Sequence, residues 1–413
     1  MGPPPGWRPC VTLSDTLKAD IVIAGAGAAG LHLAWCLSRA GLAGRRVLMI
    51  EREAKTTADG AFVNDRTWCF WERGANPLEH LVFRRWANLD FKSPRWSGRL
   101  ALDGHVYKMI RGADFHAAMR AELAGIDEIA WLQGEIADVG DGSDGGGALR
   151  LADGRVVSGR WVFNSTPIGA GPAPGPGIRL IQHFLGWVIR TSEDRFDPGA
   201  ATLMDFRTPQ GGDTRFVYVL PFDARTALVE HTVFSAHPLD RAEYVAAIEG
   251  YLREQLGIGG YVIEHQEYGE IPMTDAAFPA TSPRGGVVNI GTAGGATKPS
   301  TGYTFKRIQA QSARIAANLA AGRAPLDGRG AEAARFGWYD RILLNVLAHR
   351  RRGGADVFTD LFSRLNAGVV FDFLDGRTRP WQELQVMARA AKGPFLAATL
   401  EVAMGALHRS RPK

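Results

Sequence analysis

Apolar and polar positions follow two rhythms along this chain, and the first fifty residues show both. Residues 21–24 are an unbroken apolar run of strand length, closed by Gly25-Ala26-Gly27-Ala28-Ala29-Gly30. Beyond it Leu31, Ala34, Trp35 and Leu37 recur at helical spacing until Gly41, a natural C-cap. A second run, 46–50, ends in Glu51, 21 positions after Gly30. Strand, glycine turn, helix, strand and terminal acid in that order predict a βαβ unit that binds an adenine dinucleotide. Gly25 permits the tight turn, Gly27 lets the backbone approach a pyrophosphate, and Gly30 lets helix pack on strand. Ala26 and Ala29, between these glycines, are further candidate cofactor contacts, and Glu51 is expected to accept hydrogen bonds from the adenosine ribose.

The strand rhythm returns later. Residues 148–151 and 155–157 read as a strand pair turning at Ala152-Asp153-Gly154, after a glycine-rich loop at 141–147. Residues 161–163 read as a buried strand, and 170–177 (AGPAPGPG) as a linker. Past the linker, strands are expected at 183–191, 201–206, 214–220 and 226–234. A helix over 240–256 comes next, with Asp240 and Glu243 as its start signal. A strand at 287–290 then leads into Gly291-Thr292-Ala293-Gly294-Gly295. A helix with Phe305, Ile308, Ile315 and Leu319 on one face ends this element at Gly322.

This late strand–glycine–helix element implies that the chain returns to its nucleotide domain. Gly291, Thr292, Gly302 and Tyr303 are its candidate cofactor contacts, with a helix N-terminus near Thr304 offering unpaired N–H groups. A glycine-rich junction without a ligand is the competing reading. The expected organisation is a disordered tail (1–18), a Rossmann-like α/β domain in two pieces (19–170 and 285–325), an inserted mixed β-sheet substrate domain (171–284) and a helical C-terminus (326–413).

Composition narrows the class without naming it. A chain of 413 residues, 46% of them hydrophobic, can bury a large core. Its 48 basic and 43 acidic residues are spread without long runs, so the formal charge of +5 fits an anionic membrane surface and gives no sign of nucleic acid. Three cysteines, Cys10, Cys36 and Cys69, are too few and too irregular for a disulfide framework or a metal site. The first ten residues, MGPPPGWRPC, lack the apolar stretch of a signal peptide, and no run reaches the roughly 18 apolar residues that span a bilayer. A cytoplasmic protein, peripheral to the inner face of the membrane, is the expectation.

The segments 64–71 (NDRTWCFW), 107–111 (YKMIR), 182–187 (QHFLGW), 202–205 (TLMD), 228–232 (LVEHT), 267–273 (EYGEIPM), 291–309 and 339–344 (YDRILL), taken in this order, resemble those of the bacterial lycopene β-cyclases, flavoproteins of carotenoid synthesis. The resemblance covers about 19 to 375. It implies FAD in its reduced form, NAD(P)H as electron donor, and lycopene or a related acyclic carotene as substrate. A proton adds to a terminal double bond, an internal double bond attacks the cation, and proton loss leaves a β-ionone ring with no net redox change. The reduced flavin stabilises the cation.

The resemblance also places residues. Glu230 occupies the position of the catalytic glutamate, and strand alternation independently puts it on one face with Leu228, Thr232 and Phe234. An apolar face would raise its pKa and keep a proton available. An exposed strand glutamate, or one paired with Arg215, is the competing reading. Many relatives carry a second acid directly after this glutamate, whereas here His231 stands there. A second carboxylate must therefore come from elsewhere, or the histidine assists. Asp205 is the first candidate, although an aspartate at a strand end is also an ordinary turn residue; Glu270 is weaker, the family glutamate of its motif matching Glu267 better, and a solvent-facing side chain is the competing reading for either. Arg111 resembles the arginine that related flavoproteins aim at the cofactor, and a solvated arginine is its competing reading. Thr292 stands where many flavoproteins have the aspartate that binds the ribityl chain. A flavin-dependent monooxygenase or a prenyl reductase of the same fold is the alternative function, and a carotenoid-binding flavoprotein without activity is a third.

Overall fold

The computed structural model describes residues 16–42, 44–52, 66–173, 177–328 and 332–409; the tail 1–15 with Cys10, the pair Asn64 and Asp65, and part of the 170–177 linker lie outside the described residues. The first half runs β1 (Thr16–Ala24), α1 (Ala28–Ala40), β2 (Val47–Glu51), β3 (Thr67–Glu72), β4 (Arg84–Trp86), β5 (Asn88–Lys92), β6 (Ser97–Leu100), β7 (Val106–Arg111), α2 (Gly112–Leu123), β8 (Ile129–Gln133), β9 (Ile136–Asp141), β10 (Gly147–Leu151) and β11 (Val156–Asn164). Long strands dominate the middle of the chain. They are β12 (Arg179–Arg190), β13 (Ala200–Asp205), β14 (Thr214–Pro221) and β15 (Thr226–Ser235), then α3 (Arg241–Gln255), β16 (Val262–Thr274) and β17 (Val287–Asn289). Six helices close the described chain: α4 (Phe305–Ala320), α5 (Glu332–Ala348), α6 (Gly354–Phe362), α7 (Ala367–Leu374), α8 (Pro380–Arg389) and α9 (Lys392–Arg409).

The first sheet has the order β8-β2-β1-β11-β10-β9, with β17 also beside β11. Its β8, β2, β1, β11 and β17 are parallel, and β9 and β10 add an antiparallel flank. Because side chains alternate along a strand, Ile21 and Ile23 enter the core shared with α1, α2 and α4, while Val22 and Ala24 enter a second core shared with β9 and β10. The return of 287–320 to this sheet matches the expected discontinuous Rossmann-like arrangement. Thr16 to Lys18, expected in the tail, instead pair with 156–158 as the start of β1.

The second sheet has the order β16-β12-β15-β14-β13-β5-β6. One face is covered by α3, which buries Tyr244, Ile248, Tyr251 and Leu252, each contributing about 1.5–3 kcal/mol. The opposite face carries Leu228, Phe234, Tyr218 and Leu220 toward α6 and α7. The α3 start signal forms at Glu243, whose side chain accepts the Asp240 N–H at 3.1 Å. Two features escape a reading of the sequence. Residues 88–100 join this sheet rather than the nucleotide domain, and β16 pairs with β12 along nearly its whole length. Its polar composition, with Gly269 and Pro272, suits an edge strand and hides the period-two signal.

A third, small sheet, β3-β7-β4, joins the two units. Phe70 and Ile110 face the nucleotide-side core, and Trp71, Tyr107 and Met109 face the core under the second sheet. Alternation on two short strands thus ties the cores together.

Candidate active site

A cleft of about 590 Å³ runs from the glycine turn to the middle of the second sheet. Ala28, Glu51 and Arg52 line one end; Tyr218, Leu220, Leu228 and Glu230 line the other. Thr67, Trp68 and Cys69 of β3 and 301–305 before and at the start of α4 form the walls between.

At the nucleotide end the backbone is shaped for an anion. Gly25 has φ +93°, and a Cβ there would lie 2.6 Å from Ser165 Oγ; a Cβ on Gly30 would lie 2.0 Å from the Gly25 carbonyl oxygen. Beside Gly27 the space is open. Gly27 caps α1 without a side-chain hydrogen bond, and the first turn carries no acid, so its N–H groups and positive dipole end are available. Ala26 and Ala29 are buried in the core below. Glu51 lines the cleft while its Oε2 is ion-paired to Arg120 of α2.

The second element meets the cleft in the same way. Thr292 lines it, as do Gly302, Tyr303, Thr304 and Phe305. The N-terminus of α4 has no side-chain cap and no acid in its first turn. Gly302 has φ +74°, and a Cβ there would fall 2.2 Å from Gln182 Oε1. Gly291 shapes the approach instead of lining the cleft: at φ +62° its Cβ would lie 2.6 Å from that of Ala29. Arg111 is not brought to the cleft. It is ion-paired to Asp114 at 2.6 Å and its guanidinium lies 4.0 Å from the Phe83 ring; the arginines that do line the cleft are Arg52 and Arg66. His116 also lines it, and burial, with Arg120 adding to it, holds its pKa at about 4, so the ring is neutral.

At the far end Glu230 faces the cleft from the middle of β15. It lies opposite Tyr218 of β14 and Gly186 of β12. Thr232 Oγ1 donates to its Oε1 at 2.7 Å, as same-face alternation anticipates. Arg215 is not its partner, being opposite Val233 and ion-paired to Asp213 at 3.1 Å. Desolvation pushes the Glu230 pKa well above the carboxylate range, and the charge of Glu267, in hydrogen-bond contact, pushes it further. Two ionised carboxylates about 4 Å apart repel by roughly 4 kcal/mol at an effective dielectric constant of 20, so a buried pair does not hold two charges near neutrality. The same surroundings raise the buried Cys69 thiol far above its ordinary value, through desolvation first and then the charges of Glu230 and Glu267.

The second carboxyl near Glu230 is therefore Glu267, and the other candidates lie elsewhere. Asp205 is fully buried but on the α3 side of the sheet. Its carboxylate is held by Arg207 at 2.6 Å, by the Tyr251 hydroxyl at 2.7 Å and by the Arg207 backbone N–H at 3.0 Å. His231 points the same way, with its ring 6.2 Å from that of Tyr244, and desolvation ahead of Arg215 and His183 lowers its pKa to about 4. Glu270 lines the cleft, accepting from the Tyr268 hydroxyl at 2.6 Å. The 267–273 motif points to Glu267 and no local signal marks Gly186; strand register brings both beside Glu230.

Comparison with known proteins gives this arrangement its context. Residues 20–400 match the family model described as lycopene cyclase protein. The chain is 29% identical over 392 residues to the lycopene beta-cyclase of Paracoccus sp., covering 89% of this chain and 93% of that one. It is 28% identical over 320 residues to the lycopene beta-cyclase of Pseudescherichia vulneris, covering 74% and 76% of the two chains. In fold it is similar to the geranylgeranyl bacteriochlorophyll reductase-like protein of Thermoplasma acidophilum, with a TM-score of 0.64 at 13% identity over 94% of this chain and all of that one. The flavin-dependent brominase Bmp2 is also similar, with a TM-score of 0.53 at 14% identity over 95% of this chain and 100% of that chain. The fold is thus that of flavin-dependent oxidoreductases, and a family match spanning nearly the whole chain places it among the lycopene cyclases, the family to which it belongs.

Proposed function

We propose that this protein is a lycopene β-cyclase, converting the ψ-ends of lycopene to β-ionone rings, through γ-carotene to β-carotene, with no net redox change. One observation carries the reading. A carboxyl with a strongly raised pKa, Glu230, stands at the apolar end of a cleft whose other end is built for a dinucleotide. A carboxylic acid that keeps its proton at neutral pH is what protonation of an alkene requires.

FAD fits the nucleotide end. Gly25, Gly27 and Gly30 shape the turn, the open N-terminus of α1 would meet the pyrophosphate, and Glu51 would take the ribose hydroxyls. Thr292, Gly302, Tyr303 and the uncapped start of α4 would hold the flavin side. When bound and reduced, with NAD(P)H as electron source, FAD supplies negative charge that favours a cation nearby. Glu230 delivers the proton to the terminal double bond of the carotene. Leu220, Leu228, Tyr218 and Tyr303 keep water from the cation that forms. Trp68, Tyr218 and Tyr303 put aromatic rings on the cleft wall, and aromatic faces attract a cation by about 0.5–2 kcal/mol each.

An apolar polyene dissolves in membranes, and the C-terminal helices offer a face for one. Trp381, Leu384 and Met387 on α8 and Leu396, Leu400 and Met404 on α9 are 42–66% exposed at helical spacing. Residues 376–413 hold seven basic side chains against two acids. Both acids are ion-paired, Glu383 with Arg335 and Glu401 with Arg351. No described helix is long and apolar enough to cross a membrane. An amphipathic, basic surface of this kind lies on anionic lipid, here the inner face of the cytoplasmic membrane. Vesicles of phosphatidylglycerol should sediment the protein, and Leu384→Glu with Leu400→Glu should release it.

The alternative is a flavin-dependent monooxygenase or prenyl reductase of the same fold, either of which consumes reduced nicotinamide in proportion to product. The deciding experiment expresses the chain in bacteria that accumulate lycopene. New cyclised products and a shift from red to yellow-orange support the cyclase. Unchanged lycopene beside folded, flavin-loaded protein overturns it.

A further inference from the structure

We infer that Glu230 and Glu267 form a carboxyl dyad that holds one proton across Gly186, and that this dyad is both the acid that opens the reaction and the base that closes it. The inference rests on the cyclase reading for its chemistry and on strand geometry for the dyad itself.

The geometry is set by three adjacent strands. In the order β16-β12-β15, Glu267 and Glu230 are both in register with Gly186 of the central strand. Strands one apart are separated by about 4.8 Å, so residues flanking a central strand stand about 10 Å apart at the backbone. Two glutamate side chains span that distance only if nothing stands between them, and Gly186 leaves the gap. A Cβ on Gly186 would lie 3.0 Å from Glu267 Cγ, 3.3 Å from its Oε1 and 3.0 Å from Leu228 Cδ1. A side chain at 186 would therefore push Glu267 from its place beside Glu230.

The hydrogen-bond donors divide the roles. Glu267 is buried, and its Oε2 accepts the backbone N–H of Thr67 at 2.8 Å, which favours the charged form there. Glu230 receives Thr232 on one oxygen, and its contact with Glu267 is one in which Glu230 donates. The groups facing the dyad from neighbouring elements are Cys69 of β3, Tyr107 of β7, Tyr218 of β14 and Tyr303 before α4, all of which stay neutral near pH 7 because burial raises their pKa values. Glu267 supplies the charge that acts on Glu230.

The proton balance closes within this pair. The O–H bond of Glu230 breaks as a C–H bond forms at the terminal alkene carbon, leaving a tertiary cation and a doubly charged dyad. The internal double bond attacks, forming the ring C–C bond and moving the positive charge into the ring. The adjacent C–H bond then breaks, its electrons form the ring double bond, and the proton returns to the dyad. No oxidant or reductant is consumed. A dyad with two charges is a strong base and binds the cation until that return.

Glu267→Gln keeps the shape and an oxygen for the Thr67 N–H but removes the charge. Two readouts are taken on the full-length protein. One is the pH profile of lycopene cyclisation in vesicles with reduced flavin; the other is the infrared carbonyl band of a protonated carboxyl, titrated without substrate. The expected result is at least a tenfold loss of cyclisation near neutral pH, with the alkaline limb and the band midpoint both moved down by about one pH unit or more. Gly186→Ala, which keeps both carboxyls but parts them, should move the band in the same direction. An unchanged band and alkaline limb in both variants overturn the dyad and leave Glu267 only an anchor for Thr67. A wild-type band that shifts as expected, in a protein that forms no ring product, supports the dyad and overturns the cyclase reading alone.

Discussion

Asp205 and Glu230 stand on two strands of one sheet, both shielded by the fold, and their surroundings differ in the one respect that decides an acid. Asp205 looks toward α3, where Arg207 pairs with it and Tyr251 donates to it. Its carboxylate is matched by a guanidinium and a hydroxyl donor. Glu230 looks toward the cleft, where another carboxyl faces it. Its proton is the only way that pair avoids a second buried charge. Burial alone does not make a general acid; the sign of the neighbour does.

That contrast can be broken at either end, and the largest effect belongs to the cleft. Glu230→Gln should lower lycopene cyclisation by about 10³-fold or more, measured as ring products per flavin-loaded protein, because a positioned general acid contributes about 10²–10⁴. Retained activity would move the acid elsewhere. At the other end, Asp205→Asn should leave activity per folded molecule within about twofold while costing about 2–4 kcal/mol in denaturant unfolding, because Arg207 loses its partner. A loss of turnover with unchanged stability would put Asp205 back into the chemistry.

Smaller changes sharpen the comparison. Gly186→Ala should reduce turnover about tenfold with little change in unfolding, since the added methyl meets the flexible Glu267 and Leu228 side chains and no backbone. The smallest effect is on stability against pH. The folded pKa of Glu230 lies above its ordinary 4.5, so between those values the folded state binds more proton than the unfolded chain. Stability attributable to this group therefore falls as pH rises through that window. Glu230→Gln removes the loss, so its melting temperature should exceed wild type by about 2 °C at about pH 8 and converge with it below about pH 4. An acid stabilised in its charged form would give the opposite order.

The two ends of the cleft are unequally legible in the sequence. The glycine turn, α1, β2 and Glu51 are adjacent in the chain, and each local rule acts on neighbours a few residues apart. The α3 start at Asp240 and Glu243 is legible for the same reason. Glu230 stands out by its family position and by period-two alternation with Leu228 and Thr232. Arg111 shows the limit of a local reading, since an arginine beside a helix start has many partners to choose from, and Asp114 and Phe83 are the ones it meets. Glu267 reads as a weak candidate because β16 is a polar edge strand whose own pattern gives no buried face.

Sequence alone determined the nucleotide turn, the strands β12 to β15 with α3, the late β17–α4 element, the membership of the lycopene cyclases and the face on which Glu230 lies, because these depend on spacings of two to four residues or on motifs read in order. Tertiary structure decided which carboxyl answers Glu230. Gly186, Glu230 and Glu267 are separated by 44 and 37 positions in the chain, and only the pairing of β15 and β16 on either side of β12 sets them in one row. The register of three strands is a property of the whole sheet, and it gives the protein its buried proton.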